Sequence, residues 1–427
     1  MKRDVFIIDG ARTPFLKSRN RPGPFSAADL ATAAGAALLL RQPFAPDRLD
    51  EVILGCASPA PDEVNIGRVV ALRLGCGDAV PGWTVMRNCA SGMQALDSAL
   101  ANIRLGRAGL VLAGGVDALS RAPLLLSDEM VHWLADWYAA KTAGARFAVL
   151  RRFRPRQLAP VIGIMKGLTD PVVGQLMGQT AENLAWKFGI SRAEMDAYAV
   201  ESHRRVTAAQ DAGHFDAEVV PLIDRDGRVY PADDGVRRDS SMDGLARLKP
   251  FFDRHYGRVT PGNSSQITDG AACLLLASAE AVERFGLDPV GRIVDSEWAA
   301  LSPEQMGLGP VHASVPILRR HGLAPDALDA WELNEAFAAQ VIACRRAFAD
   351  DEYCRAHLGL EAAPGAPDAA RMNVDGGAIA IGHPVGASGA RIVLHLIEVL
   401  RRSGGRRGMA TICIGGGQGG AMLVEAL

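Results

Sequence analysis

The chain has 427 residues, 48% hydrophobic and 22% charged, enough apolar material for two or three domains with real cores. Its 46 Lys and Arg against 48 Asp and Glu leave a net charge of −2, which gives no global reason to expect nucleic acid. Seven cysteines are scattered without CxxC spacing or a Cys/His cluster, arguing against zinc and disulfides and for reduced thiols in a cytoplasmic compartment.

The N-terminal apolar run, Val5 to Ile8, is too short for a signal peptide, and no apolar stretch approaches a membrane span. Val5 to Asp9 reads as a buried strand, followed by a turn over Gly10 to Pro14. Ala27 to Leu40 reads as a helix, Glu51 to Gly55 as a strand, Asn65 to Leu74 as a helix and Trp83 to Arg87 as a strand. The turn Asn88-Cys89-Ala90-Ser91-Gly92 then opens a helix with Met93, Leu96, Leu100 and Ile103 on one face. Gly109 to Gly115 reads as a central strand ending in glycines.

From Arg121 to about Ser265 few buried-strand signals occur. Trp137 to Thr169 carries seven Lys and Arg and no acid, interleaved with apolar residues such as Phe147, Leu150 and Phe153. A solvated face explains the charges, but not the apolar groups. Contacts to the phosphates of a ligand, a lid over a pocket, and a docking surface for a partner or an anionic membrane remain open. Met177 to Phe188 and Ser191 to Ala212 read as helices, the second with the capping box Ser191-x-x-Glu194. Asp224 to Gly244 is polar and turn-rich.

The plan then repeats. Arg292 to Asp295, Ala330 to Leu333 and Gly408 to Ile414 read as strands, with a strand-like stretch at Arg371 to Val374. Pro310 to Arg320, Ala336 to Ala349 and Ala387 to Arg402 read as helices. A small-residue turn, a helix, a buried strand and glycines occur in the same order after Cys89 and after Gly386, which indicates a duplicated α/β unit.

The chemistry centres on a few residues. Cys89 sits at a helix start between small neighbours, where backbone N–H groups favour a thiolate. Cys56, Cys76, Cys273, Cys344 and Cys354 read as small buried apolar residues. Cys413 ends an apolar strand just before Gly415-Gly416-Gly417, whose N–H groups can face an oxyanion. That run formally matches G-x-G-x-x-G, but too few residues follow Gly420 for a dinucleotide fold. His383, held between Gly382 and Pro384 at a helix entrance, can serve as a base. Asn334 ends a strand, as a helix N-cap or as a site residue.

Five motifs stand in order: Asn88-Cys89-Ala90-Ser91-Gly92-Met93, Gly262-Asn263-Ser264-Ser265 with Asp269-Gly270-Ala271-Ala272, Asn334-Glu335-Ala336-Phe337-Ala338, Gly376 to Pro384, and Cys413-Ile414-Gly415-Gly416-Gly417. Together they resemble the thiolase family, the acetyl-CoA acetyltransferases and 3-ketoacyl-CoA thiolases, over essentially the whole chain. The resemblance implies an α/β fold with a duplicated five-layered α-β-α-β-α core and an inserted loop domain. Residues 1–120 with about 266–288 would form the N-terminal half, 121–265 the insert and 289–427 the C-terminal half.

The resemblance also implies roles. Cys89 would carry the acyl group, and His383 would activate it. His383 and a water held by Asn334 would line one oxyanion hole; the N–H groups of Cys89 and Gly415 would form the other. Cys413 would move the α-carbon proton. Ser265 would lie near the CoA pantetheine, and Met177 and Phe337 in the substrate pocket. CoA and acyl-CoA are then substrates, with no tightly bound cofactor or metal, and a homodimer or homotetramer is the family default.

Leu176 stands where many short-chain thiolases have a His. Arg151 to Arg156 and Asp62 to Ile66 resemble thiolase subunits of trifunctional β-oxidation complexes, which implies a hydratase/dehydrogenase partner. Those subunits usually have His where Asn334 stands, and lack the three glycines after Cys413. A β-ketoacyl synthase is the enzyme rival, disfavoured by Cys413. A silent lipid carrier or scaffold is the other, disfavoured because Cys89, Asn334, His383 and Cys413 are all present.

Overall fold

The computed structural model describes residues 3–427; Met1 and Lys2, at the start of the stretch weighed as a signal peptide, lie outside the described residues. The first half supplies five long strands: β1 (Val5–Arg12), β2 (Glu51–Gly55), β3 (Gly82–Val85), β4 (Leu110–Ala118) and β5 (Thr268–Ser278). The second supplies β6 (Gly291–Ala300), β7 (Ala330–Leu333), β8 (Arg407–Ile414) and β9 (Gln418–Ala426).

The two halves have one topology. In the first, the order is β3-β2-β4-β5-β1, parallel from β3 to β4 and antiparallel beyond. In the second, the order β7-β8-β9-β6 is parallel at β7/β8 and antiparallel beyond. Met372 completes it with a single parallel bridge to Trp331, at the place β3 occupies in the first half. Even the irregularities repeat. The register of β1 shifts between Ile7 and Asp9, and that of β6 between Ile293 and Asp295. A bulge shared at equivalent positions supports duplication more strongly than strand order alone. The halves join where β1 pairs β6 at Phe6–Arg292 and Ile7–Gly291.

Alternation along the strands builds the layers. On β4, Leu110, Leu112 and Val116 face an outer core with helix α1 (Ala27–Leu39), while Val111 and Ala113 face inward. On β8, Ala410, Ile412 and Ile414 face the same inner core, and Met409 and Cys413 face the opposite outer one. Helix α2 (Ile66–Arg73) lies with α1 in the first outer layer. Helix α3 (Ser91–Arg104) fills the centre; Met93, Leu96, Leu100 and Ile103, the predicted apolar face, are all buried there. The core is thus five-layered, α-β-α-β-α.

Between β4 and β5 the chain leaves the core. It forms α4 (Asp128–Ala139), α5 (Ala143–Arg151), α6 (Met177–Lys187) and α7 (Arg192–Asp211), with short strands and turns. The predicted capping box at Ser191 and Glu194 is present. The same position in the second half, between β8 and β9, is only the turn Gly415 to Gly417. A buried ion cluster ties the excursion to β1. Arg12 donates to Glu218 at 2.6 Å and, through both Nη atoms, to Asp233 at 2.7 and 2.9 Å.

The outer layer of the second half is α8 (Gly309–His321) and α9 (Ala338–Phe348), and α10 (Val385–Ser403) joins α3 in the centre. The two central helices approach at their starts. A Cβ on Gly389 would lie 2.6 Å from the Met93 nitrogen, and one on Gly92 2.7 Å from the Gly386 oxygen. Only hydrogen fits at either place.

Four expectations need correction. The turn expected at Gly10 to Pro14 is a strand as far as Arg12, because Val219 and β5 both pair with it. The strand expected at Trp83 to Arg87 ends at Val85, where the chain turns toward Cys89. Arg371 to Val374 makes one bridge and no strand. Asn334 caps no helix, since α9 starts at Ala338 with Phe337 as its N-cap. Strands β5 and β9 have no counterpart among the expected elements. Their alternation is hidden because both faces of each are buried.

Candidate active site

The carboxyl ends of β3, β7 and β8 and the start of α10 carry the candidate residues. After β3 the chain enters the left-handed region at Asn88, with φ +45°, a conformation Asn tolerates better than most residues. The Ser91 hydroxyl locks this corner. It accepts from the Arg87 N–H at 2.9 Å and donates to the Asn88 carbonyl at 2.7 Å. Asn88 Nδ2 donates to the Gly415 carbonyl at 3.0 Å, which ties the Cys89 corner to the glycine turn of the other half. Cys89 is left half-buried.

Cys89, Met177, Ser265, Phe337, His383 and Cys413 line one cavity of about 680 Å³. Gly415 adjoins it: its backbone N–H favours the Cys89 thiolate, and a Cβ there would lie 3.0 Å from Met177 Sδ. Asn334 is not among the lining residues and is fully buried. Among the described residues its amide nitrogen and oxygen have no hydrogen-bond partner, which leaves both free to hold a small polar group.

His383 is 8% exposed, so the fold buries it although its neighbours in sequence are small. Gly382, at φ +101°, must be glycine, because a Cβ would also lie 2.1 Å from Thr268 Cγ2. His383 Nδ1 lies 2.6 Å from Ser388 Oγ, and that hydroxyl donates to the Pro384 carbonyl at 3.1 Å. With the hydroxyl proton so placed, Nδ1 carries the ring proton and Nε2 keeps its lone pair. Nε2 has no hydrogen-bond partner among the described residues. Burial, with a smaller contribution from the Arg391 cation, lowers the His383 pKa to about 4, so the ring is unprotonated near pH 7 and its Nε2 lone pair is available.

The thiols differ from expectation. Helix-start N–H groups were expected to make Cys89 a thiolate, yet burial raises its pKa, and the Gly415 and Cys89 N–H groups only partly oppose this. Cys89 therefore needs its base. Burial, then the proximity of Cys89 and Cys344, also raises Cys413 well above the ordinary range, which keeps it a neutral proton donor. Cys56, Cys76, Cys273, Cys344 and Cys354 are free and buried, as expected for small apolar residues.

Two sides of the cavity contrast. Met165, Leu168, Leu176, Phe251, Phe252 and Met306 make an apolar wall continuous with Met177. Lys17 and Arg237, with a His203 that burial and these two cations lower to about 4 and so keep neutral, make a basic edge beside Gln266, and among the described residues no Asp or Glu lines the cavity. The Arg237 N–H donates to His203 Nδ1 at 3.1 Å, and Gln266 Nε2 to the Gly235 carbonyl at 2.8 Å. The expectation for the basic segment needs correction here. Phe147 and Leu150 are exposed and Phe153 stacks edge-on against Trp133; none of the three lines the cavity. Met165 and Leu168, at the end of the same segment, do. Ser388, Gln266, Lys17, His203 and Arg237 escaped the sequence reading. Of these only Ser388 had a local signal, a hydroxyl near a His at a helix start.

Two family models match the chain: "Thiolase, N-terminal domain" over residues 5–280 and "Thiolase, C-terminal domain" over residues 287–426. The chain belongs to the thiolase family, whose enzymes are acyltransferases. It is 42% identical to a β-ketoadipyl-CoA thiolase of Pseudomonas aeruginosa over all of both chains. It is 36% identical to the mitochondrial trifunctional enzyme subunit beta of Bos taurus, over 99% of this chain and 88% of that one. Human mitochondrial 3-ketoacyl-CoA thiolase in complex with CoA superposes with a TM-score of 0.85 at 34% identity, over 100% of this chain and 98% of that one.

Proposed function

We propose that this thiolase cleaves the C2–C3 bond of 3-ketoacyl-CoA, and makes it in reverse, through an acyl group carried on Cys89. One observation carries the reading: two neutral thiols and a neutral His with a free Nε2 line one cavity that has basic residues and no acid.

In thiolysis, His383 Nε2 takes the Cys89 proton, and the thiolate attacks the C3 carbonyl. The Gly415 and Cys89 N–H groups, and His383 with a water held by Asn334, face the two oxyanions that form in turn. The C2–C3 bond breaks, and the enolate carbon takes the Cys413 proton, which releases acetyl-CoA. CoA then enters and gives its thiol proton to Cys413 as its sulfur attacks the acyl group. The Cys89 sulfur leaves and recovers its proton from His383. Synthesis runs the same steps backwards: Cys413 gives its proton to the departing CoA sulfur as Cys89 is acylated, and then takes one from C2 of acetyl-CoA.

Ser265 would lie along the pantetheine, the basic edge would take the CoA phosphates, and Met177 and Phe337 would bound the acyl pocket. The apolar wall favours uncharged medium-chain acyl groups over the carboxylate-tipped chain named for the Pseudomonas relative. The protein would act in the cytoplasm in fatty-acid β-oxidation, as a homodimer or homotetramer, with 121–265 as its loop domain. The hairpin of α4 and α5, with Tyr138, Phe147 and Leu150 exposed among cations, of which Arg152 pairs with Asp136 and Arg156 with Glu129, would dock a hydratase/dehydrogenase subunit.

The test is intact-protein mass measurement after incubation with acyl-CoA. One acyl adduct should map to the peptide carrying Cys89. An adduct undiminished in Cys89→Ala would refute the assignment.

A further inference from the structure

A buried ion pair lies between a strand and a helix that carry site residues and takes no part in the steps above. Arg391 Nη1 donates to Glu332 Oε2 at 3.0 Å, and the two residues are 2% and 1% exposed. Glu332 sits on β7, two residues before Asn334. Arg391 sits on α10, one turn beyond Ser388, which orients His383. Among the described residues, Glu332 Oε1 and Arg391 Nε have no hydrogen-bond partner. A buried pair this sparsely hydrogen-bonded gains little over apolar side chains of the same volume, so stability alone does not account for it.

We propose that Glu332 and Arg391 are positioning residues: they hold the strand end bearing Asn334 against the helix bearing His383. The inference rests on the roles of Asn334 and His383 given above.

The surroundings support a local electrostatic role. His383 shares the cavity with Cys89, just before α3, and Cys413 on β8, and Asp117 on β4 accepts from the N–H of Gly386, three residues beyond His383, at 2.5 Å. Glu332 faces Arg391, His395, Glu335 and Asp375. Burial raises Glu332 to about 7 against the pull of Arg391 and His395, so its carboxyl is protonated well below neutrality while Arg391 stays charged. Burial disfavours the His395 cation, but Glu218 and Asp375 outweigh this and raise it to about 10. The face of α10 below His383 is therefore cationic at acid pH, which opposes protonation of the imidazole.

The test follows His383 directly by NMR titration of the labelled ring, beside thiolysis kinetics. Arg391→Met should move the His383 titration to higher pH and lower kcat by about 10²-fold, with KM for CoA held within about twofold. Arg391→Lys keeps the charge and loses the fork, so the titration should stay in place and kcat should recover at least partly. Glu332→Gln should lower kcat and leave the titration unmoved, because the native carboxyl is already neutral in that range. Wild-type kcat and titration in a folded Arg391→Met would overturn the proposal. So would equal losses in all three variants without any shift, which a purely structural pair gives. If Arg391→Met does not fold, wild-type kcat in both Arg391→Lys and Glu332→Gln would overturn it. A wild-type enzyme without thiolysis would refute the function above, while the titrations would still test the electrostatic claim.

Discussion

His383 Nδ1 and Ser388 Oγ lie 2.6 Å apart, within one turn at the entrance of α10. The contact decides which ring nitrogen faces the cavity. Ser388→Ala frees Nδ1 and lets the other tautomer compete. Thiolysis of acetoacetyl-CoA should then fall by about 10–100-fold in kcat, with KM little changed. A loss of less than about twofold, in steady-state assays of folded protein, would show that burial alone orients the ring.

Cys413 should matter more for the carbon acid than for acyl loading. Cys413→Ala should still acquire an acyl group on Cys89 from acyl-CoA, and should lose about 10²–10⁴-fold in C–C cleavage. Mass measurement of the loaded enzyme and thiolysis kinetics report the two steps separately. Parallel losses in both would argue against distinct roles.

Acyl-length preference should follow the apolar wall and not the exposed hairpin. Leu168→Trp intrudes on the cavity, and should depress medium-chain thiolysis more than acetoacetyl-CoA thiolysis by about tenfold, the scale of one or two methylenes in a pocket. Phe147→Ser and Leu150→Ser should leave that ratio unchanged. A ratio that moves with the hairpin variants would place the acyl path elsewhere.

His395 should stabilise the fold in a definite pH window. Burial opposes its charge, but Glu218 and Asp375 raise its pKa from 6.5 to about 10. A raised pKa means that the contribution is complete below about 6.5 and disappears as pH rises through about 10. Glu218, which burial would raise, is instead lowered to about 2 by His395 and Arg12; its share is complete above about 4.5 and lost as pH falls through about 2. The Tm difference between wild type and His395→Gln should therefore shrink from pH 6.5 to 10. A constant difference would mean that His395 acts by packing alone.

Much of this protein could be read from residue order. Helices with one apolar face, such as α3, and strands bounded by glycine, such as β2 and β8, declare themselves through local periodicity. The duplication showed because a short pattern recurred after Cys89 and after Gly386. The candidate residues stood out where a reactive side chain sits among small neighbours, as Cys89, His383 and Cys413 do. Tertiary structure decided the rest, because the deciding forces act between distant residues. Strands β5 and β9 are buried on both faces by layers far off in sequence, so neither shows alternation. Burial sets the proton affinities of Cys89, Cys413 and His383, and it reversed the expectation for Cys89. Desolvation depends on everything that surrounds a group, whereas a helix start is a local feature. The basic edge of Lys17, His203 and Arg237, and the pairing of Glu332 with Arg391, exist only because folding brings together side chains that the sequence keeps far apart.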